Sequence, residues 1–154
     1  MTIIALLDSS QRLTDAVYRG TAPASGGGTG SVSASEPGTS GEAFAAGAVL
    51  YRNATDGFWY NAKADAEATS GPVEIGIPLT PALGAGVVVT IFRSGLLSLA
   101  GWGLTPGEVY VSETVAGGTQ AVATVVLGHV GRVVGWARTA TTMYVDPSPD
   151  WTVQ

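Results

Sequence analysis

The sequence predicts an all-β protein, a compact β-sandwich or β-barrel with an extended N-terminal arm. Three observations carry this. From Ala43 onward, short β-favouring runs bounded by Gly, Pro, Thr or Asn recur at close spacing, the pattern of a sandwich or barrel. No segment sustains a helical period; the best helix candidate is one turn near Ala62–Ala68. A block of Gly, Ser, Thr, Ala and Pro at residues 20–42 separates the first 19 residues from everything that follows.

The arm, residues 1–19, joins the apolar stretch Ile3, Ile4, Ala5, Leu6, Leu7 to a polar turn and then "RLTDAVY". It is too short to fold alone, which makes Ile3, Ile4, Leu6, Leu7, Arg12 and Tyr18 candidates for anchoring on a partner. Residues 20–42, "GTAPASGGGTGSVSASEPGTSGE", bury too little apolar surface to offset backbone ordering and read as a linker. Residues 43–154 form the β-domain. It opens with a hairpin signal, "AVLYRNATDGFWYNAK", whose Asp-Gly step supplies the positive φ a tight turn requires. "VEIGIPL", "GVVVTIF", "LLSLAGW", "EVYVSET", "AVATVVLG", "RVVGWAR" and "TMYVD" follow as strand candidates. A faint repeat at a spacing of 60 matches Gly47, Val49, Gly57, Gly71 and Val73 to Gly107, Val109, Gly117, Gly131 and Val133. It implies two related hairpin units around one core.

Composition narrows the function. Seven basic residues, spread singly, stand against twelve acidic ones; nucleic-acid binding needs clustered cations, so no nucleic-acid partner is expected. Apolar runs such as Ala85–Phe92 fall far below the roughly 20 residues a membrane helix requires, so no membrane partner is expected either. "MTIIALLDSS" lacks the basic region of a signal peptide. With 12% charged residues and 22 glycines, the surface is expected to carry apolar patches of the kind that mark protein contacts.

Catalytic constellations are missing from the pattern. The one histidine, His129, has no G-x-S-x-G serine beside it in sequence, and without cysteine it cannot complete a zinc site. Asp146 and Asp150 flank two prolines and read as turn chemistry, and Asp65 and Glu67 as a solvated turn. "GGGTGS" lacks a P-loop lysine, and "LGAGVVV" lacks the third glycine of a dinucleotide fingerprint. Neither a catalytic residue nor a cofactor or metal is expected.

The aromatic residues remain. Phe58, Trp59 and Tyr60 are consecutive on a strand, so at least one faces away from the others. Trp59, Trp102 and Trp151 join the arm residues as candidate partner contacts, because exposed aromatics anchor interfaces. At the end of the chain, "RVVGWAR" and "MYVD" alternate as strands, and the prolines of "DPSPD" stop ladder pairing. Trp151 is then expected to fold back as an apolar plug on its own domain or a neighbour.

"AVLYRNATDGFWYNAKADAEATSGPVEIGI", "LTPGEVYVSET" and above all "GRVVGWARTATTMYVDPSPDWTVQ" together resemble the C-terminal β-domain of tailed-bacteriophage virion proteins, over roughly residues 46–154. The resemblance implies a structural role in the virion. As a capsid decoration (cement) protein, the chain would sit on the capsid exterior, bind and stabilise the major capsid protein shell, and form a homo-oligomer, a trimer. As a tail or fibre component, the same β-domain would bind a receptor or serve structurally. Neither role is enzymatic.

Overall fold

The computed structural model describes residues 34–123 and 125–154. The arm, with Ile3, Ile4, Leu6, Leu7, Arg12 and Tyr18, and linker residues 20–33 lie outside the described part. The described chain is nearly all β, as the sequence predicts. Its elements are β1 (Ala34–Thr39), β2 (Leu50–Arg52), β3 (Trp59–Asn61), α1 (Glu67–Ser70), β4 (Glu74–Pro78), β5 (Val88–Ser98), β6 (Gly107–Val111), β7 (Thr119–Gln120), β8 (Val130–Gly131), β9 (Val133–Thr139), β10 (Thr142–Val145) and β11 (Thr152–Val153).

Nine strands form one antiparallel sheet, curled into a half-barrel, in the order β3-β2-β4-β5-β10-β9-β6-β7, with β1 added on β5; β8 and β11 make a separate pair. The order reads as two matching halves, β3-β2-β4-β5 and β7-β6-β9-β10, meeting at the β5–β10 contact. The 60-residue spacing maps β2 and β3 onto β6 and β7, and Glu74 at the start of β4 onto Val134 in β9. The repeat is thus two hairpin-plus-strand units, although the ladders differ: Leu50 pairs with Gly76, whereas Trp136 pairs with Glu108.

The first half closes on itself. β1 lies on β5, and a parallel bridge from Ser40 to Trp59 ties its end to β3. The ring encloses Phe44, Leu50, Trp59, Ala82, Val89 and Ile91. A second, larger core lies across the sheet and gathers Ile75, Ile77, Phe92, Leu97, Val109, Val111, Val134, Met143 and Val145. β4 serves both. Ile75 and Ile77 face the large core, while Gly76 faces the ring, where a Cβ would sit 2.3 Å from Ile91 Cγ2.

β5 merges two strand candidates. "GVVVTIF" and the start of "LLSLAGW" run as one strand of 11 residues. Arg93 is skipped in the pairing with β1, and Gly95 takes φ +113°, open to glycine. This irregularity shifts the alternation, so Phe92 and Leu97 both reach the large core.

Three further expectations change. Ala34–Thr39, read from composition as linker, is the strand β1: long-range pairing with β5 overrides a composition that would not order alone. "AVATVVLG" forms no strand among its described residues; beyond Gln120 the chain leaves β6 and pairs with no edge among the described residues. The helical turn falls at Glu67–Ser70 and stops at Gly71, whose N–H bonds the Glu67 carbonyl ahead of Pro72.

The C-terminal segment is a clasp. The Asp146 and Ser148 N–H groups donate to the carbonyls of Val134 and Val133 (both 3.0 Å), and Thr152–Val153 pairs with Val130–Gly131. Arg132, 6% exposed, locks it. Its guanidinium donates to the carbonyls of Ser70 (3.3 Å), Gly71, Val73 (2.8 Å) and Ser148 (3.2 Å). Burial pushes its pKa down from the usual arginine value.

Candidate functional site

Three surface features depart from an ordinary polar exterior. The first is the end of the body where the β6–β7 turn, the 121–129 loop and the C-terminal strand meet. His129 Nδ1 lies 3.5 Å from Glu113 Oε2 and links the first two. The Gly128 N–H donates to the Gln154 carbonyl at 2.8 Å and links the third. Between Glu113 and His129 there is no charged residue. Val115 (59%), Val122 (72%), Val125 (87%) and Leu127 (88%) stand in solvent; Val126, between the last two, and Val153 of the C-terminal strand are also exposed. Loops are ordinarily polar, because their side chains face water. An exposed loop of valine and leucine is chemistry for excluding water against another surface.

The second feature is the outer face of β5, β10 and β9. Leu96 pairs with Tyr144, Tyr144 with Trp136, and Trp136 with Glu108 of β6. Directly opposed residues in antiparallel strands share a face, so the four side chains form one row across the sheet. Leu96, Tyr144 and Trp136 are 43%, 42% and 55% exposed. The row is flanked by the Ser98–Thr142 hydroxyl pair (3.0 Å) and by Arg138, for which no ion pair forms among the described residues. Glu108 accepts a hydrogen bond from the Tyr110 hydroxyl at 2.5 Å, and that bond holds the phenol above its usual pKa.

The third is a cleft of about 380 Å³ between β1 and the β2–β3 turn, lined by Glu36, Arg52, Asp56, Phe58 and Trp59 among others. Its charges are matched internally. Arg93 Nη1 reaches Glu36 Oε1 at 2.8 Å and Glu74 Oε2 at 3.2 Å, Arg52 reaches Glu74 at 3.4 Å, and the Arg93 guanidinium lies 5.3 Å from the Trp59 ring centre. Desolvation raises the Glu74 pKa, but the two arginines together outweigh it and leave the carboxyl below its usual value. The Phe58 N–H and then the Tyr60 hydroxyl lower Asp56, and Asp56 in turn raises Tyr60. These shifts move the acids and the phenol away from neutrality, opposite to the tuning of a general acid or base.

The predicted contact residues divide. Trp59 is 2% exposed inside the ring. It offers little surface of its own, because strand alternation turns it inward and leaves Phe58, 38% exposed, outside. Trp102 is half-buried against the large core, and its Nε1 donates to the Gly47 carbonyl at 3.0 Å, bracing the turn before β2. Trp151 is half-buried just before β11. The exposed tryptophan is Trp136, which is not among the contact residues expected from the sequence. The signal available was its alternation with Gly135 and Ala137, but nothing local says which face is outside, nor that the β6–β9 register skips Val134 and so buries it two residues from an exposed Trp136. No group of three His, Cys, Asp or Glu side chains suited to a metal occurs among the described residues.

No family model, no curated protein and no solved structure matches this chain.

Proposed function

We propose that this chain is a capsid decoration protein of a tailed bacteriophage: a non-enzymatic module on the capsid exterior that docks on the major capsid protein shell and stabilises it. Its resemblance to phage β-domains supplies the class and the expectation of a homotrimer. The observation that carries the docking reading is the uncharged apolar loop end around Val125 and Leu127, which has no covering surface among the described residues. Burying two such side chains contributes about 1.5–3 kcal/mol each, one part of the contact that holds a protein in many copies on a lattice. A tail or fibre component is the second reading; it would use the cleft, where Phe58 stands at an open wall beside paired charges.

Pelleting with decoration-free shells tests the reading. The purified chain is expected to bind saturably, and the Val125→Asp/Leu127→Asp variant to bind at least tenfold more weakly, since each lost 1.4 kcal/mol is a factor of ten. Equal binding by the variant would remove the loop from the contact. No binding of the unaltered chain would overturn the decoration reading.

A further inference from the structure

We infer that the cleft between β1 and the β2–β3 turn is a binding site for an uncharged sugar ring. The first sign is an unmet donor in its floor. Trp59, 2% exposed, lines the cleft, and its Nε1–H lies beside Gly38, another lining residue, where a Cβ would stand 2.5 Å from the nitrogen. That N–H donates to no acceptor among the described residues, yet it is not sealed from solvent. A buried indole N–H ordinarily finds a partner, so an open donor at the bottom of a cleft calls for an oxygen from outside.

The walls offer further donors and acceptors in mixture. Arg52 uses Nε on the Gly57 carbonyl (3.2 Å) and Nη1 on Glu74 (3.4 Å), which leaves Nη2. Glu36 takes the Arg93 bond on Oε1 and keeps Oε2. Each Asp56 oxygen accepts one bond, from the Phe58 N–H or the Tyr60 hydroxyl, and has a lone pair left over. Beside these polar atoms stand Phe58 and Val88, 38% and 71% exposed. A hydroxyl both donates and accepts, and a sugar ring carries several around its rim with an apolar C–H face between them. The mixed polar groups match the rim, and Phe58 and Val88 match the face. Charge disfavours an ion. Arg52 and Arg93 already face carboxylates, so an anion finds no uncommitted cation, and a cation would compete with both guanidiniums. At about 380 Å³ the cleft falls in the range of small-molecule sites, about 300–1,000 Å³.

The inference does not rest on the decoration reading, and its test contains no shell. In a nitrogen–proton correlation spectrum of the full chain, each tryptophan gives its own indole N–H peak. The chain is titrated with the methyl glycosides of glucose, galactose, mannose and N-acetylglucosamine, each to about 10 mM, which nearly saturates a site with a Kd of about 1 mM. At least one glycoside is expected to shift the Trp59 peak while those of Trp102 and Trp136 stay in place. Phe58→Ala, at an exposed position, is expected to weaken that binding at least tenfold with circular dichroism unchanged. Trp136→Ala, outside the cleft, is expected to bind as the unaltered chain does. Inorganic phosphate is expected to leave the Trp59 peak where it is. No shift from any of the four glycosides, equal binding by Phe58→Ala, or a shift from phosphate as large as from a sugar would each overturn the proposal.

Discussion

Arg132→Ala tests the idea that the end of the chain closes the β-body. The guanidinium is buried and donates to four carbonyls, three around the end of α1 and one, that of Ser148, in the C-terminal clasp. Removing it leaves those acceptors without their charged donor. A hydrogen bond to a charged group contributes about 1.5–3 kcal/mol, and a buried acceptor left unmade costs about 1–3 kcal/mol. Water refilling the space recovers part of this, so a net loss of roughly 3–5 kcal/mol follows. For a domain of this size that lowers Tm by roughly 10–15 °C. Differential scanning calorimetry and urea titration measure it. Arg132→Lys is expected to recover only part of the loss, because an ammonium cannot reproduce the planar fork that spans Val73 and Ser148. A loss under about 1 kcal/mol for Arg132→Ala would refute the clasp as a stabilising device.

Gly76→Ala places a methyl 2.3 Å from Ile91 Cγ2 and is expected to destabilise by about 1–3 kcal/mol through overpacking between the two cores; urea midpoints read it. Stability is expected to depend on pH at both extremes. Asp56 and Glu74 have folded pKa values below their ordinary 3.8 and 4.5, so the stability they contribute is present above those values and lost as pH falls through the depressed ones. Tyr60 and Tyr110 lie above 10.0, so their contribution is lost as pH rises beyond it. Urea midpoints measured from pH 3 to 11 show both limbs, and Glu74→Gln flattens the acid one.

The fold class and the first hairpin were legible because their signals are local: Gly57, at φ +75°, is the Asp-Gly turn residue itself. β1 was hidden for the opposite reason. Its glycine and proline resemble linker, yet Gly38 is there because a Cβ would lie 2.5 Å from Trp59 Nε1, a constraint set by a residue 21 positions away. In "AVATVVLG" the β-propensity was real but reports fit to a pleated surface, and the described residues offer it no such neighbour. The inward Trp59 and the outward Trp136 differ only in the parity of their strands, which register fixes and composition does not.

The proposed decoration role is most directly tested by counting copies of this chain in virus particles purified from the source of the sequence, by quantitative mass spectrometry against the major capsid protein. Hundreds of copies per particle are predicted. A few dozen or fewer would place the chain in the tail, and none at all would contradict a structural role in the virion.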